Sequence, residues 1–153
     1  GGRTPSHLVF AESKSIQIGQ RVFTVGFPAT GLLGLDPKYT EGAISSLSGP
    51  GGDASYLQIT VPVHSGSSGG PLLNESGEVV GIVVATAAPL PFLKGTGHLP
   101  QNVNWAIKAS LALPLFEQPA RPAPDRRAAV ERAIKATCLV TATIPKAEAG
   151  DEK

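Results

Sequence analysis

The chain has 153 residues, 13 Lys and Arg against 12 Asp and Glu, and is 41% hydrophobic with only 16% charged residues. That balance excludes a polyanion binder, because no basic excess recruits nucleic acid or anionic lipid. The 18 glycines and 14 prolines, without a collagen period, exclude fibres and long coiled coils. No membrane span is expected: the longest apolar run, 79–93, is broken by Pro89 and Pro91 and is shorter than the ~20 residues a spanning helix needs. Cys138 has no partner for an intramolecular disulfide, and three scattered histidines offer no zinc-ligand spacing, so neither a metal nor a cofactor is expected. No targeting segment is visible and the chain contains no Met, so it reads as a processed chain or a piece of a longer one.

In chain order, six apolar and β-branched runs bounded by Gly and Pro read as strands: 21–26, 39–47, 56–61, 70–74, 78–86 and 102–107. Six strands around one core predict an all-β fold, a six-stranded antiparallel barrel, which also removes exposed edges. The fourth and fifth are joined by Asn74-Glu75-Ser76-Gly77, where Gly77 can take the left-handed conformation that closes a hairpin. A short amphipathic helix is expected over 109–117, with Pro114 tolerated only in a first turn. Residues 1–117 thus form one domain. The Pro-rich stretch 118–125 reads as a linker, and 126–153 as a helix-plus-strand tail that docks back on the barrel. In that tail Asp125 is the predicted N-cap, and Ala129, Val130, Ala133, Ile134, Thr137 and Cys138 share one helical face, which makes Cys138 a buried, inert thiol. A last strand is predicted over 139–144, followed by a charged, disordered end.

Chemistry concentrates between the third and fourth strands, in His64-Ser65-Gly66-Ser67-Ser68-Gly69-Gly70-Pro71-Leu72-Leu73-Asn74. Three glycines around two serines permit a tight turn whose backbone N–H groups converge on one cavity beneath a serine side chain. Acyl transfer needs that arrangement: a hydroxyl to attack a carbonyl, and donors for the developing oxyanion, each worth roughly 2.7–4 kcal/mol. An ordinary Gly/Ser turn is the bland alternative. Gly66-Ser67-Ser68-Gly69-Gly70 also fits the nucleophile elbow G-x-S-x-G, but a hairpin follows where that elbow requires a helix.

With its neighbours this motif resembles trypsin-like serine peptidases of the bacterial HtrA/Deg type. The resemblance runs in order through Ile18-Gly19-Gln20-Arg21-Val22, Val25-Gly26-Phe27-Pro28, Glu41-Gly42-Ala43-Ile44-Ser45-Ser46-Leu47, Leu57-Gln58-Ile59-Thr60, the Gly66 to Asn74 motif, Gly77-Glu78-Val79-Val80-Gly81-Ile82 and Val103-Asn104-Trp105-Ala106-Ile107. It covers about residues 8–117 and corresponds to the second barrel of the family's two. It implies a serine endopeptidase in which Ser68 is the nucleophile and the N–H groups of Gly66 and Ser68 form the oxyanion hole. Val63, His64, Val83, Val84 and Ala85 match the positions that bind substrate, and their small or apolar character implies a small or medium aliphatic residue before the scissile bond. The family's catalytic His and Asp lie upstream of anything resembled here, so an N-terminal barrel from a missing segment is the implied partner. A polypeptide substrate, a possible homo-oligomer and an extracytoplasmic location are implied too. Ser67 stands where the family commonly has Asp or Asn, and the chain after Glu117 is too short for a peptide-binding PDZ module.

Against this stands another class: a catalytically inactive trypsin-like module that binds extended peptides by β-augmentation along 83–87. A purely structural or assembly domain is a third reading. His64, four residues before Ser68, reads as a pocket-wall or surface residue and not as its base, because the glycine turn aims the two side chains differently. His7 and His98 read as surface residues, Trp105 as a core anchor, and Arg121, Arg126, Arg127 and Arg132 as a solvated helix face. Leu32, Leu33 and Leu35 form either a contact site or a loop tucked under the core.

Overall fold

The computed structural model describes residues 6–12, 15–64, 66–86, 94, 97, 102–115 and 123–139. Its strands are β1 (Val9–Phe10), β2 (Arg21–Gly26), β3 (Lys38–Ser46), β4 (Tyr56–Ile59), β5 (Pro71–Asn74), β6 (Glu78–Thr86) and β7 (Asn104–Lys108); its helices are α1 (Thr30–Leu33), α2 (Ala109–Ala112) and α3 (Arg126–Ala136). Antiparallel pairing runs β2–β3–β4–β7–β6–β5 and returns to β2, closing the six-stranded barrel. The added β1 lies parallel on β6, Val9 opposite Glu78. Alternation along the strands fills the barrel with Val22, Ile44, Leu57, Ile59, Leu72 and Val83.

β2 is buried on both faces. Its even positions, Val22 and Thr24, point into the barrel, while Phe23 and Val25 join Leu73 and Val79 in a second cluster on the outside. Such a strand needs a second layer, and α3 supplies it through Ala129 and Ala133, each fully buried. Asp125 caps the helix by accepting from the Ala128 N–H at 2.8 Å. The 74–77 hairpin receives it: Gly77 has φ +73°, and a Cβ there would lie 2.6 Å from that of Ala129. Arg126 fastens the outer edge. Its guanidinium lies 5.9 Å from the Phe23 ring centroid, donates to the Tyr39 hydroxyl at 2.6 Å and to Glu75 Oε1 at 3.0 Å, and pairs with Glu41. A hydrogen bond from Tyr39, aided by the Arg126 charge, holds the Glu41 carboxyl below its usual range, whereas burial first and Glu41 second push the Tyr39 hydroxyl up.

Three expectations change. The 109–117 helix is one α-turn, α2, followed by a 3-10 turn over Leu113–Leu115, because Pro114 lacks the N–H an α-helix would need there; 116 and 117 lie outside the described residues. α3 ends at Ala136, and Thr137 turns extended (φ −94°, ψ 128°), so Cys138 leaves the apolar stripe and is exposed, not buried. Leu139 belongs to no regular element, and the rest of the predicted strand, 140–144, lies outside the described residues, as does 118–122 of the Pro-rich stretch. No helix among the described residues is long and apolar enough to cross a membrane.

Candidate active site

The 66–70 turn is fixed by its own amides. Gly66 and Gly69 take φ +94° and +84°, values that favour glycine. Ser67 N–H donates to His64 C=O at 2.9 Å and Gly70 N–H to Ser67 C=O at 3.1 Å, forming the turn. Gly69 N–H to Val83 C=O at 2.8 Å, and Val83 N–H to Gly70 C=O at 2.9 Å, bolt it to β6. Three of the five amides are thereby used. Those of Gly66 and Ser68 have no acceptor among the described residues, which leaves this pair for a ligand. Behind Gly66 runs the backbone of residues 27–29: a Cβ on Gly66 would lie 2.9 Å from Phe27 C=O.

The two serines face opposite ways. Ser67 is 6% exposed, and its Oγ accepts a long hydrogen bond, 3.4 Å, from His64 N–H, so it serves the turn where the resembled family commonly has Asp or Asn. Ser68 is exposed, and its hydroxyl donates to Val84 C=O at 2.6 Å. A β-bulge makes that acceptor available. Val83 and Ala85 of β6 sit opposite the consecutive residues Ala106 and Trp105 of β7, so Val84 is the extra residue and its carbonyl leaves the ladder.

A cleft of about 800 Å³ opens at the turn. The 66–71 stretch lines one side, β1 and the segment leading into it another (His7, Leu8, Phe10), and the end of α3 with the residues after it a third (Ala136, Thr137, Cys138, Leu139). A shallower space of about 410 Å³ continues from Gly66 and Phe27 along α1 to Leu32, again beneath Leu139. Leu32 is 90% exposed, so the apolar 32–35 loop stands in solvent and does not tuck under the core.

Gly66, Ser68 and the Val84 carbonyl come together here. Val63 and Val83 turn their side chains into the barrel core, His64 is exposed outside the cleft, and Ala85 continues β6 opposite Trp105. The bulge, the 27–29 backbone and the α3 wall were not visible in the sequence. His7 lines the cleft unforeseen, yet no histidine among the described residues is hydrogen-bonded to Ser68 Oγ. Nor do the described residues place three or more His, Cys, Asp or Glu side chains together as metal ligands.

Residues 1–82, including this whole turn, match the family described as Trypsin-like peptidase domain. The chain belongs to the trypsin-like peptidase family. Among relatives, a probable periplasmic serine endoprotease DegP-like of Rhizobium meliloti is 40% identical over 112 residues, 70% of this chain and 20% of that protein. The periplasmic pH-dependent serine endoprotease DegQ of Escherichia coli is 31% identical over 117 residues, 74% of this chain and 23% of the other. The crystal structure of the serine endoprotease from Yersinia pestis is similar with a TM-score of 0.52 and 26% identity, covering 70% of this chain and 33% of that one. This trypsin-like chain therefore spans less than a quarter of the two sequence relatives' length, and it is of the HtrA type.

Proposed function

We propose that this chain is the nucleophile-bearing half of a serine endopeptidase. The observation that carries the reading is the pair of unclaimed amides, Gly66 and Ser68, in a turn whose remaining amides are all engaged, beside an exposed serine hydroxyl. In the proposed reaction Ser68 Oγ attacks the scissile carbonyl carbon and its proton passes to a histidine, oriented by an aspartate, both from an upstream barrel. The oxyanion is held by the Gly66 and Ser68 N–H groups, the C–N bond breaks as the amine leaves with the proton, and water then hydrolyses the Ser68 ester.

Val84 has a part in this reading. Its carbonyl holds the Ser68 hydroxyl in the free chain, and an extended substrate laid against β6 would take that carbonyl with its own N–H, freeing the nucleophile where it is needed. Val63, His64 and Ala85 keep their proposed substrate-side roles through backbone, the Val63 side chain being committed to the core, whereas Val83 acts only indirectly, by holding the turn through both its backbone groups. The domain division proposed is a barrel over 1–117, a linker over 118–125 and a tail over 126–153. A homo-oligomer and an extracytoplasmic location are proposed with it, in keeping with relatives named as periplasmic endoproteases.

One observation favours a second reading, an inactive module that pairs with extended peptides: Ser68 Oγ is bonded to a carbonyl and not to a base. Fluorophosphonate labelling decides. In the protein that joins this chain to its upstream half, the probe is expected on Ser68, with labelling and peptide cleavage abolished by Ser68→Ala. Absence of labelling, with retained binding of unfolded polypeptide, would replace the peptidase by the binding module.

A further inference from the structure

α3 does more than cover β2. The stretch that ends it, 137–139, is the third wall of the Ser68 cleft, and Leu139 lies over both spaces that meet at Gly66. The two sides of Ser68 differ in kind. On one side β6 offers backbone, with the Val84 carbonyl in reach of the hydroxyl. On the other, beyond Gly66 and the 27–29 backbone, apolar side chains help to line the space, Leu139 and the 90% exposed Leu32 among them. A peptide whose acyl part pairs with β6 must send its leaving-group part across Gly66 into this apolar groove.

We propose that the α3 end is a specificity wall for the leaving-group side, seating an apolar side chain just after the scissile bond, with Arg126 as the latch that keeps the wall in place. The inference rests on the reading of Ser68 as nucleophile. Leu139 is 43% exposed and no part of either core cluster, which suits a contact residue and makes it replaceable without unfolding the barrel. The latch acts at a distance: Arg126 sits at the opposite end of α3 from Leu139, held by Tyr39, Glu41 and Glu75, while Ala129 locks into the space above Gly77. Loosening either contact frees the wall without touching the 66–70 turn.

The test is cleavage of a peptide set varied only at the two positions after the scissile bond, using the protein that joins this chain to its upstream half. Wild type is expected to favour Leu, Ile or Phe there. Leu139→Glu should lower kcat/KM for those peptides ~10-fold or more and favour Lys instead, with little change among peptides varied only before the bond. Arg126→Ala should flatten the same preference. Cys138, the one cysteine of this chain, reports the wall's position through its alkylation rate, which should rise in Arg126→Ala and stay unchanged in Leu139→Glu. If Leu139→Glu itself speeds alkylation, Leu139→Ala decides by losing or keeping the apolar preference. An unaltered preference in a Leu139 variant with wild-type alkylation overturns the wall. Cleavage that survives Ser68→Ala overturns instead the nucleophile on which it rests, so the two failures are distinguishable.

Discussion

Replacing Gly66 by Val probes the site where geometry is tightest. At φ +94° a β-branched residue is strained by ~1–3 kcal/mol. Its Cβ would also stand 2.9 Å from Phe27 C=O, a backbone atom that cannot swing aside, and overpacking of this kind costs about 1–3 kcal/mol more. The sum, ~2–6 kcal/mol, is comparable with the ~2.7–4 kcal/mol that one oxyanion donor contributes, so the turn relieves itself by rotating the Gly66 peptide away from the cleft. In the proposed enzyme that would join this chain to an upstream half, kcat is then expected to fall ~10²–10³-fold with KM little changed. Thermal unfolding supplies the second reading, since each kcal/mol that remains as strain lowers Tm by about 2–4 °C in a domain of this size. Gly69→Val is the matched control: φ is +84° and nothing lies within 4 Å of its Cβ, so strain acts there without collision and the proposed oxyanion pair keeps its place. A Gly66→Val enzyme within about threefold of wild-type kcat would refute the assignment of the Gly66 amide to the hole.

Further outcomes follow from the same contacts. The isolated chain should show no peptidase activity above background in a casein or peptide assay; robust turnover abolished by Ser68→Ala would locate a base within the chain, and replacing His64, His7 and His98 in turn would test each histidine. Gly77→Val should drive Ala129 away and undock α3, lowering Tm and speeding Cys138 alkylation, because the space above Gly77 is already filled to 2.6 Å. Docking of α3 should depend on pH at both extremes. Glu41, lowered by Tyr39 and Arg126, contributes above the ordinary carboxylate range and loses its effect as pH falls through the lowered value. Tyr39, raised chiefly by burial, contributes below its ordinary value and loses its effect as pH rises through the raised one. A fluorophore on Cys138 should therefore report a constant environment from about pH 6 to 9 and change on either side; no change below about pH 4 would disqualify the Glu41 contact as part of the latch.

What the sequence disclosed was what local rules govern. β6 spans the expected 78–86, Gly77 has its positive φ, and Asp125 caps the helix it precedes, because alternation, turn chemistry and capping act over a few residues. The Val84 bulge was out of reach: it exists only as a mismatch of register between β6 and a strand some twenty residues further on. β2 carried a legible hint in Val22-Phe23-Thr24-Val25, apolar on both faces, but nothing in the run named α3 as its cover. Cys138 was misjudged by extending a helical period past Ala136, where β-branched Thr137 adopts extended backbone. The two-residue β1 is too short to leave a periodic trace, and with it went the means of placing His7 in the cleft.

Closure of the barrel has a kinetic consequence. β2 pairs with β5, Phe23 opposite Leu73, and β4 with β7, Leu57 opposite Ala106, each joining residues about fifty positions apart. Topologies dominated by such distant pairings fold in roughly milliseconds to seconds, since loop entropy is lost before the contacts form. The bonds of the Ser68 turn to Val83 are of hairpin range, but its seat against residues 27–29 and the bulge imposed by β7 wait for strands more remote in sequence. A nascent or partly unfolded chain thus carries the serine but not the cradle, and the hydroxyl acquires its neighbours only when the last strand has locked in.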